Sequence, residues 1–263
     1  MCKCGGAHGC ARVARGNPLL KRKLIGSLAY RSSSTKLLLV QHPLDNPIWS
    51  SLTTAHAHFA LGEAGWKRYP ASVAPFAAVP VDAAHRQAPR ALASQDSICF
   101  VGALPTFDDT WIVEHRFDLV QMVLPREHRT SGGTLIACRD LMQSDTAAML
   151  DLTARVFPGY FRERTYLMGR YLGIFAENRL VAMAGERMTL EGWCEISAVC
   201  TDPGYTGLGY AAALMHVLVD AMFERGVTPF LHVSPENTRA RRLYRMLGFL
   251  ERATLPFIRV HSA

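Results

Sequence analysis

Val199-Cys200-Thr201-Asp202-Pro203-Gly204-Tyr205-Thr206-Gly207-Leu208-Gly209-Tyr210-Ala211-Ala212 is the stretch on which the fold turns. An apolar strand-like run ends at Thr201, a Pro-Gly turn follows, and a glycine-rich loop leads into a helical pattern, Leu208–Arg225, closed by Gly226. Gly207 and Gly209 let the backbone approach a ligand closely with N–H groups turned outward. The helix start adds roughly half a positive charge, so the segment is suited to an anion such as a pyrophosphate.

Two other readings compete for the same residues. The glycines could simply make a tight turn. Gly207-x-Gly209-x-x-Ala212 also fits a relaxed dinucleotide fingerprint, with Glu236 near the distance of a ribose carboxylate. Two features count against that second reading. Only 27 residues follow Glu236, and Thr201–Tyr205 separates strand from loop where the fingerprint needs an immediate turn.

Upstream of the loop, Thr134–Cys138 reads as a strand and Gln143–Val156 as a helix. Tyr171–Ala176, Val181–Met188 and Trp193–Cys200 read as strands, with a turn at Glu177-Asn178-Arg179. Downstream, Thr228–Val233 is a strand and Ser234-Pro235 opens a helix reaching about Leu247. Gly248 stops that helix, and two short strands are expected to finish the chain. Pro125–Gly133 has the composition of a linker. Before it, Asn46-Pro47 starts a helix with Trp49, Leu52, Phe59 and Ala60 on one face. Ala74–Val79, Ser97–Val101 and Phe117–Leu124 then read as strands.

A second motif follows the first across one helix and one strand. It reads Asn237-x-x-Ala240-x-x-Leu243-Tyr244-x-x-x-Gly248-Phe249. Together, Val199-Cys200-Thr201-Asp202-Pro203-x-Tyr205-x-Gly207-x-Gly209-x-Ala211 and this helix resemble the acetyl-CoA loop and following helix of the GNAT superfamily of N-acetyltransferases. The resemblance covers about residues 134–263. A closer resemblance is to the glycine N-acyltransferase-like branch, which carries an extra N-terminal domain. It implies a mixed α+β fold: a central, mostly antiparallel, splayed sheet flanked by helices, preceded by a smaller α/β domain. The expected organisation is a basic leader at residues 1–40, an accessory domain at 41–130 and a catalytic domain at 131–263.

The resemblance implies acetyl-CoA as co-substrate and a small-molecule or peptide amine as acceptor, without a metal. Cofactor contacts fall on Val199, Cys200, Thr201, Thr206, Gly207, Leu208, Gly209, Tyr210, Ala211 and Asn237. Thr206 departs from the family, which carries Gln or Arg there, and so shortens one contact. Arg239, Arg241 and Arg242 could add charge for phosphates, or be solvated helix residues. Attack on a thioester needs a neutral amine, so a group must take its proton. Glu195 lies among Trp, Cys, Ile and Val on the strand leading to the loop, where acidic residues are poor strand formers. Burial there would raise its pKa into the range of a base, the role the resemblance implies. The alternative is a glutamate on the solvent face. Tyr244 sits on a helical stripe with Ala240, Leu243 and Leu247. Its spacing alone reads as core, and the resemblance makes it proton donor to the CoA sulfur. The competing function is a non-catalytic acyl-CoA-binding module.

Composition narrows the classes. Of 29 Lys and Arg, eight fall in residues 1–44, which hold none of the 22 acidic residues. The remainder is therefore nearly neutral, and the net +7 is no argument for nucleic-acid binding. No apolar run of about 18 residues exists, so no membrane-spanning helix is expected. The first 36 or so residues read as a disordered tail, as extra residues from an upstream start, or as a transit segment, and Cys2, Cys4, His8 and Cys10 match no standard zinc spacing. Seven cysteines without framework spacing fit a reducing, cytoplasmic setting. None has an evident His partner, so transfer is expected to be direct, without an acyl-cysteine.

Overall fold

A computed structural model describes residues 42–92, 96–130 and 136–263. The expectations placed on residues 1–40, including the Cys2–Cys10 cluster, lie outside the described residues. Residues 41–263 form one compact unit.

The element order begins with α1 (Pro47–Thr53), β1 (Leu61–Glu63), β2 (Trp66–Arg68), β3 (Ala77–Ala78), β4 (Ile98–Val101) and β5 (Trp111–Val123). Then come β6 (Arg139–Asp140), α2 (Thr146–Val156), β7 (Tyr171–Ala176), β8 (Arg179–Leu190) and β9 (Trp193–Thr201). Last are α3 (Tyr210–Glu224), β10 (Thr228–Val233), α4 (Thr238–Met246) and β11 (Leu250–Ser262). β1–β3 make a small sheet, and the other strands form one eight-stranded sheet ordered β4-β11-β5-β10-β9-β8-β7-β6. Within this sheet only β9 and β10 pair in parallel; the other six neighbouring pairs are antiparallel. The mixed, mostly antiparallel sheet flanked by helices is the expected class.

Both faces of the central strands are covered. On one side α3 inserts Leu214, Met215, Leu218, Val219, Met222 and Phe223 at helical spacing against Ala182, Ala184, Cys194 and Ile196. Each such side chain stabilises by about 1.5–3 kcal/mol through burial. On the other, α2 packs Met149 and Leu152 on Tyr171, Met183 and Cys200. Nearby, Ile48 and Leu52 of α1 join Met188, Leu190, Phe230 and Phe257. Burial from both sides explains why Leu180–Glu186 of β8 is buried throughout instead of alternating.

Several expectations change. The boundary near residue 130 does not separate two folding units, because β5 inserts between β10 and β11 and completes the sheet. The two short terminal strands are one strand, β11, paired with β5 from Leu250 to Ser262. Pro256 is tolerated there because β4 pairs with β11 only from Phe257 to Val260, so no donor is missing on that side. Of the strand expected at Thr134–Cys138, residues 134–135 lie outside the described residues and 136–138 are irregular; a short strand follows at Arg139–Asp140. α1 stops at Thr53, where the Thr53 and Thr54 hydroxyls donate to Trp49 and Ser50 carbonyls. Finally, α4 is capped by Asn237, not Ser234: Asn237 Oδ1 accepts from Ala240 N at 3.0 Å.

Candidate active site

β9 and β10 run in parallel from Trp193/Thr228 to Glu195/Phe230, and their pairing stops there. Beyond that point, among the described residues, no strand lies on this edge of Ile196–Thr201, while β10 continues against β5 to Val233. The sheet therefore forks. Inside the fork β9 bulges: Ser197 pairs with Gly185 and Cys200 with Met183, so β9 holds one residue more than β8. Ala198 takes the bulge at φ 53°, a conformation that costs an L-residue roughly 1–2 kcal/mol. Such strain persists where the local course of the backbone serves a purpose.

The loop follows directly. Asp202 Oδ1 accepts from Gly204 N at 3.0 Å, and Asp202 pairs with Arg155 and Arg179, which pins the turn. Gly207 (φ 87°) and Gly209 (φ 79°) are left-handed, and a Cβ at either would meet nothing within 4 Å. Crowding by the protein is thus not the reason for glycine; backbone conformation is, and open space lies above both. Gly209 is the N-cap of α3 without a side-chain cap, so the first N–H groups of α3 are left to an outside acceptor. Thr206, Gly207, Leu208 and Gly209 are exposed, and Tyr210 and Ala211 half-buried. The Thr206 hydroxyl donates back to Pro203 O at 3.2 Å, away from any phosphate role. Val199, Cys200 and Thr201 line the free edge of β9, Cys200 with its side chain buried. Asn237 is exposed on α4.

Glu195 occupies the last paired position before the fork and is fully buried. Arg187 donates to both its oxygens, Nε to Oε2 at 2.7 Å and Nη2 to Oε1 at 2.6 Å. His232 Nδ1 donates to Oε1 at 2.7 Å. Because a carboxylate can only accept, His232 carries its proton on Nδ1, and its Nε2 accepts from Gln121 Nε2 at 3.0 Å. Gln121 also donates to Leu44 O, and its oxygen accepts from Arg252, which pairs with Asp45. This chain of contacts ties β8, β9, β10, β5 and β11 together at the base of the fork. The expected rise in the Glu195 pKa is reversed. Burial pushes it up, but the Arg187 guanidinium and the His232 bond outweigh burial and hold it at about 2. Arg187 and His232 were invisible as partners in the sequence, since they lie on neighbouring strands.

Tyr244 is buried in the same core cluster as Leu231 and Val233, with Val199 and Tyr210 packed against it. Burial raises its pKa to about 12. Burial likewise keeps the Cys200 thiol protonated, with its pKa pushed up to about 12, which removes it as a nucleophile. Arg241 and Arg245 are engaged by Glu251, leaving Arg239 and Arg242 as exposed cations on α4. Arg170 pairs with Asp140. Among the described residues no group of three or more His, Cys, Asp or Glu is placed to hold a metal. A cavity of about 440 Å³ lies elsewhere, between β5, β11 and the Leu104–Phe107 loop.

The profile of the Acetyltransferase (GNAT) family matches residues 135–249, from just before β6 to just before β11. The N-alpha-acetyltransferase RimI of Mycobacterium tuberculosis (strain ATCC 25618 / H37Rv) is 31% identical over 120 residues, spanning 41% of this chain and 75% of that protein. The chain belongs to the GNAT family of acetyltransferases. A structure from Novosphingobium aromaticivorans assigned to the GNAT family is 30% identical, with a TM-score of 0.77 over 85% of this chain and 100% of its own. That coverage extends well beyond the 135–249 segment, so the GNAT relative shares part of the preceding region too. As a family member the protein is an N-acetyltransferase. No described helix is long and apolar enough to cross a membrane.

Proposed function

We propose that the protein transfers an acetyl group from acetyl-CoA to a primary amine by direct attack on the thioester. The observation that carries this reading is the fork: β9 leaves β10 at Glu195 and bulges at Ala198, and its open edge leads into a glycine loop with free donors. In this reading the N–H groups of Gly207, Gly209, Tyr210 and Ala211 hold the pyrophosphate, with Thr206 and Leu208 completing the loop. Val199, Cys200 and Thr201 offer main-chain groups to the pantetheine arm, and Asn237, its oxygen held by the cap, offers its amide nitrogen. The residues fit acetyl-CoA because space is open where the glycines lack a Cβ.

Glu195 acts here as a positioning residue. An anion already paired with Arg187 and His232 has little affinity for a proton at neutral pH, so the ammonium proton leaves to water. Tyr244 suits hydrogen-bond donation to the leaving sulfur. A thiolate, whose thiol has an ordinary pKa of about 8.5, is a weaker base than a phenolate whose phenol is near 12, so complete transfer from Tyr244 would be uphill. The acceptor class suggested by the RimI relative is a polypeptide amino terminus. Residues 41–130 would then serve as the accessory segment that completes the site, as in the glycine N-acyltransferase-like arrangement. The four described cysteines are free, Cys99, Cys194 and Cys200 buried and Cys138 half-buried, which fits a cytoplasmic setting. The test is release of CoA thiol from acetyl-CoA with amine acceptors present; binding without any release would favour the non-catalytic alternative.

A further inference from the structure

β5 pairs with β11 from Trp111 to Val123, but β10 covers its other side only from Val120 to Val123. Among the described residues, no strand lies on the far side of Trp111–Leu119. Native edges are usually short, charged inward or covered. This one is long, and beside Glu114, His115, Arg116 and Asp118 it exposes Ile112 (46%), Val113 (48%) and Phe117 (39%). Its location follows from register. Val233, the end of β10, lies opposite Val120, and β9 has already left β10 at Glu195. The open edge of β5 therefore faces the open edge of β9 across the fork. A cavity adjoins it as well. The bulge between Arg259 and Val260 lets Val113 and Arg116, three residues apart, share one wall of the 440 Å³ cavity, whose other walls include Leu104, Phe107 and Ile258.

We propose that Trp111–Leu119 receives the acceptor as an added strand: an extended polypeptide segment running antiparallel to β5, its amino terminus at Leu119–Val120 facing the fork. One apolar side chain of that segment seats in the Val113–Arg116 cavity. This rests on the fork being the acetyl-transfer site. A small amine would need only the fork itself and would leave the backbone groups of this edge without a strand partner. An extended chain satisfies the unpaired backbone groups, takes its affinity from the main chain and its selectivity from a side-chain pocket. Antiparallel pairing is also the more stable arrangement per residue.

The experiment uses the full chain, acetyl-CoA and hexapeptides with free amino termini, randomised at the first two positions and ending Ser-Val-Ser-Lys. The best acceptor is remade with single N-methyl groups on successive amides, which leaves the enzyme untouched. Strand addition predicts alternation: N-methylation at one parity raises KM at least tenfold, and at the other leaves it within twofold. Hydrogen exchange across Trp111–Leu119 slows when the peptide is added. Peptide turnover indifferent to N-methyl parity would overturn edge docking while leaving acetyl transfer intact. Turnover of small amines but of no peptide would do the same. Concentration-dependent protection of this edge without peptide would assign it to a second copy and also overturn the proposal. No CoA release with any acceptor would instead remove the reading on which it stands.

Discussion

Replacing Glu195 by glutamine separates the two roles open to a buried carboxylate at the fork. A general base would be lost outright, and the acidic limb of kcat/KM would vanish with it. A positioning residue predicts something different: the limb stays, while stability falls by about 3–5 kcal/mol because Arg187 is left without its counter-charge. Thermal unfolding alongside a pH–rate profile reads both. The sign of the pH dependence follows from the depressed pKa. Glu195 contributes stability that is fully present above the ordinary carboxylate value of 4.5 and is lost as pH falls towards about 2. Tyr244→Phe keeps the packing and removes the donor, so kcat is expected to fall about 10- to 100-fold with little change in KM for acetyl-CoA. Activity of the native enzyme should show no alkaline loss from this tyrosine below about pH 10. An unchanged kcat in Tyr244→Phe would reduce Tyr244 to core packing. At this scale the sequence showed that a carboxylate sat in apolar company, but not why it was tolerated. Arg187 and His232 reach it across strands, and the register that aligns them is not a linear spacing.

The loop and α3 are the element in which linear reading succeeded, because their signals are local. Left-handed φ at Gly207 and Gly209, the Asp202 turn and the Gly226 stop all depend on nearest neighbours in the chain. Gly209→Val should therefore fold, losing about 1–2 kcal/mol to backbone strain, since no protein atom lies where the side chain would grow. Acetyl-CoA affinity should fall much further, by 100-fold or more, because that space is the ligand's. Calorimetry and thermal unfolding of one variant distinguish the two effects. α4 was harder to read. Ser234-Pro235 has the residues of a helix start, yet Ser234 Oγ accepts from Glu236 N in a local turn, and the cap passes to Asn237. Two capping candidates three residues apart compete, and the one whose side chain accepts from a helical N–H, Asn237, begins the helix.

On the scale of the whole molecule, the linker does not divide the main sheet. Pro125–Gly133 has linker composition, but β5, just before it, is hydrogen-bonded on both sides by strands after it. Strand order in a sheet is a non-local property, invisible to any window of sequence. The consequence is testable. Residues 131–263 alone lack the β5 backbone that pairs with β11 from end to end, and they lack Gln121, which holds His232. That fragment is expected to show no cooperative unfolding transition and no acetyl-CoA binding, whereas residues 41–263 retain both; near-ultraviolet dichroism and calorimetry check it. A folded, CoA-binding fragment would mean that the N-terminal segment decorates a self-sufficient domain. The central claim is that the forked sheet and its glycine loop form one acetyl-transfer site. Its most direct test is to titrate acetyl-CoA into the native chain and Gly209→Val, then follow CoA release with amine acceptors. Micromolar binding lost in the variant, with release by the native chain alone, is the predicted result. Equal binding by both proteins would place the cofactor elsewhere and contradict the account.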